Sequence, residues 1–156
     1  MRPMKKILVP IDLSPSSKKL CSAARAFADE TRGQLVLLHV MQPPPVTMNE
    51  FSAIDAAQLS VALAAGEKTG SRRLAQFAAR ISPRTRAAKT LHRIGSPVIV
   101  ILEEAKKLKA DYIVIGSHGH SALHDLVLGS TTHGVLKDAR CPVLVIPTAP
   151  TQRGRK

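Results

Sequence analysis

The sequence is poor in aromatic residues and in cysteine, and these absences exclude several classes of protein. It has no tryptophan, one tyrosine and three phenylalanines, too few for the stacking platform on which single-stranded nucleic acids bind. Two cysteines in 156 residues exclude a small secreted domain held together by disulfides. The apolar runs, such as 98–102, are far shorter than the roughly 20 residues of a membrane-spanning helix, so no membrane insertion is expected.

The beginning of the chain also lacks the features of a secretory signal. Only the short run Ile7–Ile11 follows the basic residues near the N-terminus, and Asp12 comes next. A signal peptide needs a longer apolar region followed by small residues at a cleavage site. We therefore expect a cytoplasmic protein.

Acidic residues are scarce, and they are absent between Lys68 and Leu102. The chain has 23 Lys and Arg against 11 Asp and Glu, a formal net charge of +12. Such a surplus favours anionic ligands, nucleic acids or acidic lipids as partners. A solvated helix face explains the same pattern. A nucleic-acid or membrane-surface role through residues 68–93 therefore remains an alternative and is not the favoured interpretation.

Short apolar runs alternate with helical patterns along the chain. The strands are predicted at residues 5–11, 34–41, 85–94, 111–116 and 141–146, and the helices at 15–32, 53–81, 97–109 and 130–139. The pair Ser14-Pro15 predicts Ser14 as N-cap and Pro15 as the first helical residue. Apolar strands joined by helices predict an α/β fold, an open five-stranded parallel sheet with helices on both faces. We expect one domain over residues 1–148 and a basic C-terminal tail over 149–156.

The residues that follow the strands are candidates for function, because ligands of such sheets bind beyond the carboxyl ends of the strands. The strongest pattern is Gly116-Ser117-His118-Gly119, then nine residues, then Gly129-Ser130-Thr131-Thr132. Gly116 permits a sharp turn and Gly119 permits close approach of a phosphate. The second group begins a helix, whose free N–H groups attract anions. Ordinary turn glycines and an ordinary helix start are the alternative explanation.

Five segments together resemble the universal stress protein (UspA) family. They are residues 7–14, 37–40, 95–97, 111–119 and 141–147. Residues 116–130 also satisfy the family's nucleotide motif, G-x2-G-x9-G-[ST]. The resemblance covers about residues 4–147. It implies the ATP-binding subgroup, with the Rossmann-like fold of the adenine nucleotide alpha hydrolases and strand order 3-2-1-4-5.

The resemblance also implies a binding site for an adenine nucleotide. Its expected residues are Pro10, Ile11, Asp12, Val40 and Ile115 near the adenosine, and Gly116, Gly119, His120, Gly129, Ser130, Thr131 and Thr132 near the phosphates. His120 occupies a place where a stronger base often stands, so AMP or ADP are alternatives to ATP. Asp12 either contacts the ligand, which we favour, or caps the first helix. Mg²⁺ is expected only as a companion of the phosphates.

The function implied is that of a stress-response regulator with at most slow ATP hydrolysis. The sequence shows no Walker lysine, arginine finger or clear general base, so no catalytic residue is assigned. The histidines 118, 120, 124 and 133 lack a carboxylate or cysteine at metal-ligand spacing, so no metal site is predicted. A nucleotide-dependent enzyme on the same fold is a further alternative. The resemblance also implies a homodimer through Val143–Ile146, and the protein partner is unknown.

Overall fold

The computed structural model describes residues 4–43, 56–81, 87–118 and 128–148. The strands are β1 (Lys6–Ile11), β2 (Gln34–Met41), β3 (Lys89–Ile94), β4 (Tyr112–Gly116) and β5 (Val143–Ile146). The helices are α1 (Ser16–Thr31), α2 (Ala56–Ile81), α3 (Pro97–Leu108) and α4 (Ser130–Asp138). The predicted site residues Gly119 and His120, and the tail 149–156, lie outside the described residues.

The strands form one parallel sheet in the order β3-β2-β1-β4-β5, which confirms the predicted fold class and strand order. The central strand β1 pairs with β2 on one side and with β4 on the other. The strand order therefore reverses between β1 and β4, the place where open α/β sheets form a ligand crevice.

The two faces of the sheet bury two separate apolar cores. Side chains alternate along each strand, so Ile7 and Val9 pack with residues of α1 and α2, whereas Leu8 packs with residues of α3 and α4. The three residues are fully buried, as a central parallel strand covered on both faces requires. In the described part of the chain, no helix has the length and apolar character to cross a membrane.

The start of α1 differs from the prediction. The helix begins at Ser16, and Pro15, already in a helical conformation, precedes it as the N-cap. The difference is one residue, because Pro15 already has helical φ and ψ while Ser14, which precedes a proline, stays outside the helix. Ser14 instead accepts the backbone N–H of Ser17 on its carbonyl oxygen at 3.0 Å, in a turn that leads into the helix.

Two glycines of α2 lie against the sheet. A Cβ atom on Gly70 would overlap the ring of His92 at Cε1, and one on Gly66 would lie 2.8 Å from Cε of Met41. Both contacts are closer than real Cβ contacts allow, so a side chain at either position requires a neighbour to move. Gly66 and Gly70 are one helical turn apart, and together they let α2 pack closely over the ends of β2 and β3.

The two positions should respond differently to alanine. Gly70→Ala places its methyl group in the buried ring of His92, and such overpacking costs about 1–3 kcal/mol. Gly66→Ala meets only the flexible end of Met41, so the gain in helix propensity, up to about 1 kcal/mol, should offset the contact. Urea unfolding of the two variants measures the difference. Equal stability of the two would contradict the close packing of Gly70 on His92.

Candidate functional site

A cavity of about 740 Å³ opens at the carboxyl edge of the sheet, where β1 and β4 end. Its volume lies within the range of roughly 300–1,000 Å³ of small-molecule sites. Ten residues of the predicted site line it: Pro10, Ile11, Asp12, Val40, Ile115, Gly116, Gly129, Ser130, Thr131 and Thr132. The fold thus brings together every predicted site residue that lies within the described ranges.

Further lining residues come from helices and strand ends that sequence reasoning did not assign to a site. They include Ser16, Ser17 and Leu20 of α1, His39 of β2, Thr69, Gly70 and Arg73 of α2, Ile101 of α3, and His118 and Thr148 after β4 and β5. Thr148 could have been predicted as a site residue, because it closely follows the end of a predicted strand. The residues of α2 could not have been predicted in this way, because their position at the cavity depends on how that helix packs against the sheet.

Asp12 organises the loop between β1 and α1. Its Oδ1 accepts the backbone N–H of Ser14 at 3.0 Å and the hydroxyl of Ser17 at 2.8 Å. This is the capping type of contact that the sequence left as the alternative to ligand binding. Asp12 also lines the cavity, so the same carboxylate can position the loop and face a ligand.

The loop after β4 is held by Thr148. The hydroxyl of Thr148 donates to the carbonyl oxygen of His118 at 2.9 Å and accepts the backbone N–H of His118 at 3.2 Å. The backbone N–H of Thr148 donates to Oγ of Ser117 at 3.1 Å. Thr148 is buried and lines the cavity. It therefore fixes the backbone on which the first glycine of the motif stands.

Gly116 ends β4 at a point where a side chain would be crowded. A Cβ on Gly116 would lie 3.0 Å from both Cγ2 and Oγ1 of Thr148. Among the described glycines, the backbone angle φ is positive only at Gly95. A side chain at position 116 would therefore require Thr148 to shift, which favours glycine there.

The amino end of α4 presents free donors to the cavity. Gly129 is the N-cap, and its own N–H donates to the carbonyl oxygen of Ser117 at 2.9 Å. The N–H of His133 is the first to bond within the helix, to Gly129 at 2.9 Å, so those of residues 130–132 have no partner inside the helix. The first turn carries no acidic residue. The positive end of the helix dipole therefore lies at the cavity, and no acidic side chain of the first turn neutralises it.

The side chain of Thr132 is used in a hydrogen bond within the protein. Its hydroxyl donates to the carbonyl oxygen of Gly116 at 2.7 Å, and the residue is buried. This bond joins the start of α4 to the end of β4. The side chain of Thr132 thus fixes the distance between the two glycine segments, and the hydroxyls of Ser130 and Thr131 are the ones left to contact a ligand.

A pair of histidines stands beside the cavity. His39 and His92 are opposite each other in the register of β2 and β3. Their Nδ1 atoms lie 3.0 Å apart, and their rings stack with centroids at 5.0 Å. Burial, helped by the charges of His92 and Arg73, lowers the pKa of His39 to about 4. Burial also lowers the pKa of His92, so both rings are neutral at pH 7.

Metal ligands do not converge in the part of the chain that is described. No group of three or more His, Cys, Asp or Glu side chains is placed there to hold a metal ion.

Known proteins share both the sequence pattern and the fold of this chain. The model of the universal stress protein family matches residues 3–147. The chain belongs to the universal stress protein family. It is 32% identical over 149 residues to universal stress protein YxiE of Bacillus subtilis, covering 90% of this chain and 97% of that protein.

Solved structures agree with this membership. Universal stress protein UspA from Lactobacillus plantarum has a TM-score of 0.69 and 31% identity, covering 91% of this chain and 97% of that one. A universal stress protein solved in complex with cAMP has a TM-score of 0.56 and 22% identity, covering 94% of this chain and 98% of that one. At that identity the second structure shows the common fold, and its ligand is a property of that protein.

The hydroxyl of Thr148 should matter for both stability and the cavity. Thr148→Val keeps the shape but removes both hydrogen bonds to His118, which we expect to cost about 1–2 kcal/mol of unfolding free energy. Thr148→Ser retains the hydroxyl and serves as the control. Chemical denaturation and the melting temperature measure the effect. A valine variant as stable as the serine variant would show that these bonds do not hold the loop.

Proposed function

We propose that this universal stress protein binds an adenine nucleotide in the cavity and acts as a cytoplasmic stress-response regulator. The observation that carries the proposal is the amino end of α4, where residues 130–132 line the cavity, their N–H groups have no partner inside the helix, and the first turn carries no acidic residue. Helix N-termini of this kind bind phosphate groups. ATP is the expected ligand, and ADP and AMP are the alternatives.

The remaining wall of the cavity suits the adenosine part of such a ligand. Val40, Ile101 and Ile115 supply apolar surface beside the amino end of α4. Asp12 lies at the end of β1, the strand between β2 and β4, where a carboxylate can accept a hydrogen bond from a ribose hydroxyl. Apolar walls with a few convergent polar groups are typical of small-molecule sites. A universal stress protein of the same fold has been solved with cAMP, itself an adenine nucleotide.

The described cavity favours binding over rapid turnover. Phosphoryl transfer is accelerated by cations and by a base that orients the attacking group. Among the described lining residues, Arg73 supplies the guanidinium, and no lysine joins it. We therefore propose at most slow hydrolysis, with nucleotide occupancy serving as the signal. Mg²⁺ would accompany the phosphates of the ligand.

We also propose that the protein forms a homodimer through β5. This strand is at one edge of the sheet and pairs only with β4 within the described chain. Leu144 at its centre is 37% exposed, so pairing would bury an apolar side chain. An open strand edge is commonly covered by a partner. Two prolines, Pro142 and Pro147, flank the strand and limit the pairing to its four residues.

A charge placed at the start of α4 should separate phosphate binding from folding. Ser130→Asp complements the helix dipole and should raise stability by about 0.3–1 kcal/mol, but it repels phosphates. We expect at least a roughly tenfold loss of ATP affinity, about 1.4 kcal/mol, with adenosine affinity unchanged. Isothermal titration calorimetry measures both, with the neutral Ser130→Asn as the matched control. Full ATP affinity in the aspartate variant would refute phosphate binding at α4.

The dimer proposal is tested by charging the edge strand. Leu144→Lys should convert the dimer to monomer, because two lysines would face each other across the paired strands. Light scattering coupled to size-exclusion chromatography gives the mass. Val61→Lys, an exposed apolar position on α2, is the control and should remain dimeric. A monomeric parent protein, or a dimeric lysine variant at position 144, would exclude β5 as the interface.

A further inference from the structure

The cavity has a second polar side that the nucleotide contacts proposed above do not use. His39, Thr69 and Arg73 line it from β2 and α2. α2 packs on the same face of the sheet as α1, whereas α4 packs on the opposite face with α3. These three residues therefore approach the cavity from one face of the sheet, and Ser130 and Thr131 approach it from the opposite face.

The histidine pair determines which polar atom His39 offers. Both rings are neutral, so the contact between the Nδ1 atoms needs one Nδ1–H donor and one bare Nδ1 acceptor. Nε2 of His92 is buried and has no hydrogen-bond partner in the described structure. If His39 were the donor, the Nε2 of His92 would carry a hydrogen that is buried without an acceptor, which folded proteins rarely tolerate. His92 is therefore the donor from Nδ1.

The tautomer of His39 follows from that assignment. Its Nδ1 accepts the hydrogen from His92, so a neutral ring carries its own hydrogen on Nε2. His39 lines the cavity, and its Nδ1 is already used. The Nε2–H is the polar group that remains for a ligand, and it donates without the ring becoming charged.

Arg73 brings a positive charge to the same side. It is exposed, and no carboxylate of the described residues forms a salt bridge with it. Its charge is near enough to His39 to disfavour the protonated ring. A guanidinium offers several donors in one plane and binds phosphoryl oxygens in a bidentate manner. The neighbouring Arg72 is also exposed, but it does not line the cavity.

We propose that Arg73 and the Nε2–H of His39 form a second anion subsite, which binds a phosphoryl group on the side of the cavity opposite α4. The subsite deepens the proposed function and in part rests on it. Its phosphoryl group belongs either to the nucleotide itself or to free phosphate that binds beside it. Thr69, on the same side, adds a hydroxyl one helical turn from Arg73.

Affinity measurements with paired arginine variants test the subsite. Titration with ATP, adenosine and inorganic phosphate compares the parent protein with Arg73→Ala and with Arg72→Ala, which removes the same charge outside the cavity. We expect Arg73→Ala to weaken ATP or phosphate by about tenfold and to leave adenosine unchanged, and Arg72→Ala to have no effect. Loss of ATP affinity alone assigns the phosphoryl group to the nucleotide. Loss of phosphate affinity alone assigns it to the free anion. Equal behaviour of the two variants with both ligands overturns the proposal.

The subsite can be tested even if the proposed nucleotide binding fails. If the parent protein binds neither ATP nor adenosine, the proposed function fails and inorganic phosphate alone decides the subsite. A phosphate-dependent rise in melting temperature that is lost in Arg73→Ala and kept in Arg72→Ala then supports it. No such rise in the parent protein then overturns it.

The tautomers can be measured directly in the protein without ligand. Long-range ¹H–¹⁵N correlation spectra at pH 7 distinguish a protonated Nδ1 from a protonated Nε2 in each neutral ring. We expect the hydrogen on Nε2 of His39 and on Nδ1 of His92. The reverse assignment would leave His39 without a donor for an anion and would overturn the subsite as proposed.

Discussion

The parallel pairing of β1 with both β2 and β4 is the constraint on which the rest of the structure depends. It buries β1 on both faces and divides the helices between two cores. It also places the carboxyl ends of the strands at one edge, where the strand order reverses. Because the crevice forms at that reversal, residues from widely separated parts of the chain meet in one cavity.

Hydrogen bonds within the protein decide which atoms at that edge remain for a ligand. The hydroxyls of Thr132 and Thr148 are bonded to Gly116 and His118, and the N–H of Gly129 is bonded to Ser117. These bonds position the two glycine segments before any ligand arrives. Near the glycine segments, the donors left over are the backbone N–H groups at the start of α4 and the hydroxyls of Ser130 and Thr131. Preorganised donors of this kind bind an anion with little loss of conformational freedom.

The glycines show which features of the structure can be predicted from local sequence patterns and which cannot. Gly116 and Gly129, which the sequence assigned to one candidate site, both line the cavity, because each follows or precedes a recognisable element. The crowding at Gly116 comes from Thr148, 32 residues further along the chain, which no local pattern indicated. Gly66 and Gly70 are poor helix formers, yet they are the positions at which α2 packs against Met41 and His92. Distant contacts of this kind have no local signature.

The sequence by itself determined the alternation of strands and helices, the family and the residues at the ends of β1 and β4. The alternation follows from hydrophobic periodicity, which depends on neighbours in the chain, whereas the family followed from the resemblance of five segments to universal stress proteins. Only the tertiary structure decided that α2 lines the cavity with Arg73 and that His39 stacks on His92. Both depend on strand register and on the packing of α2 against the sheet, which bring together residues that are far apart in the sequence.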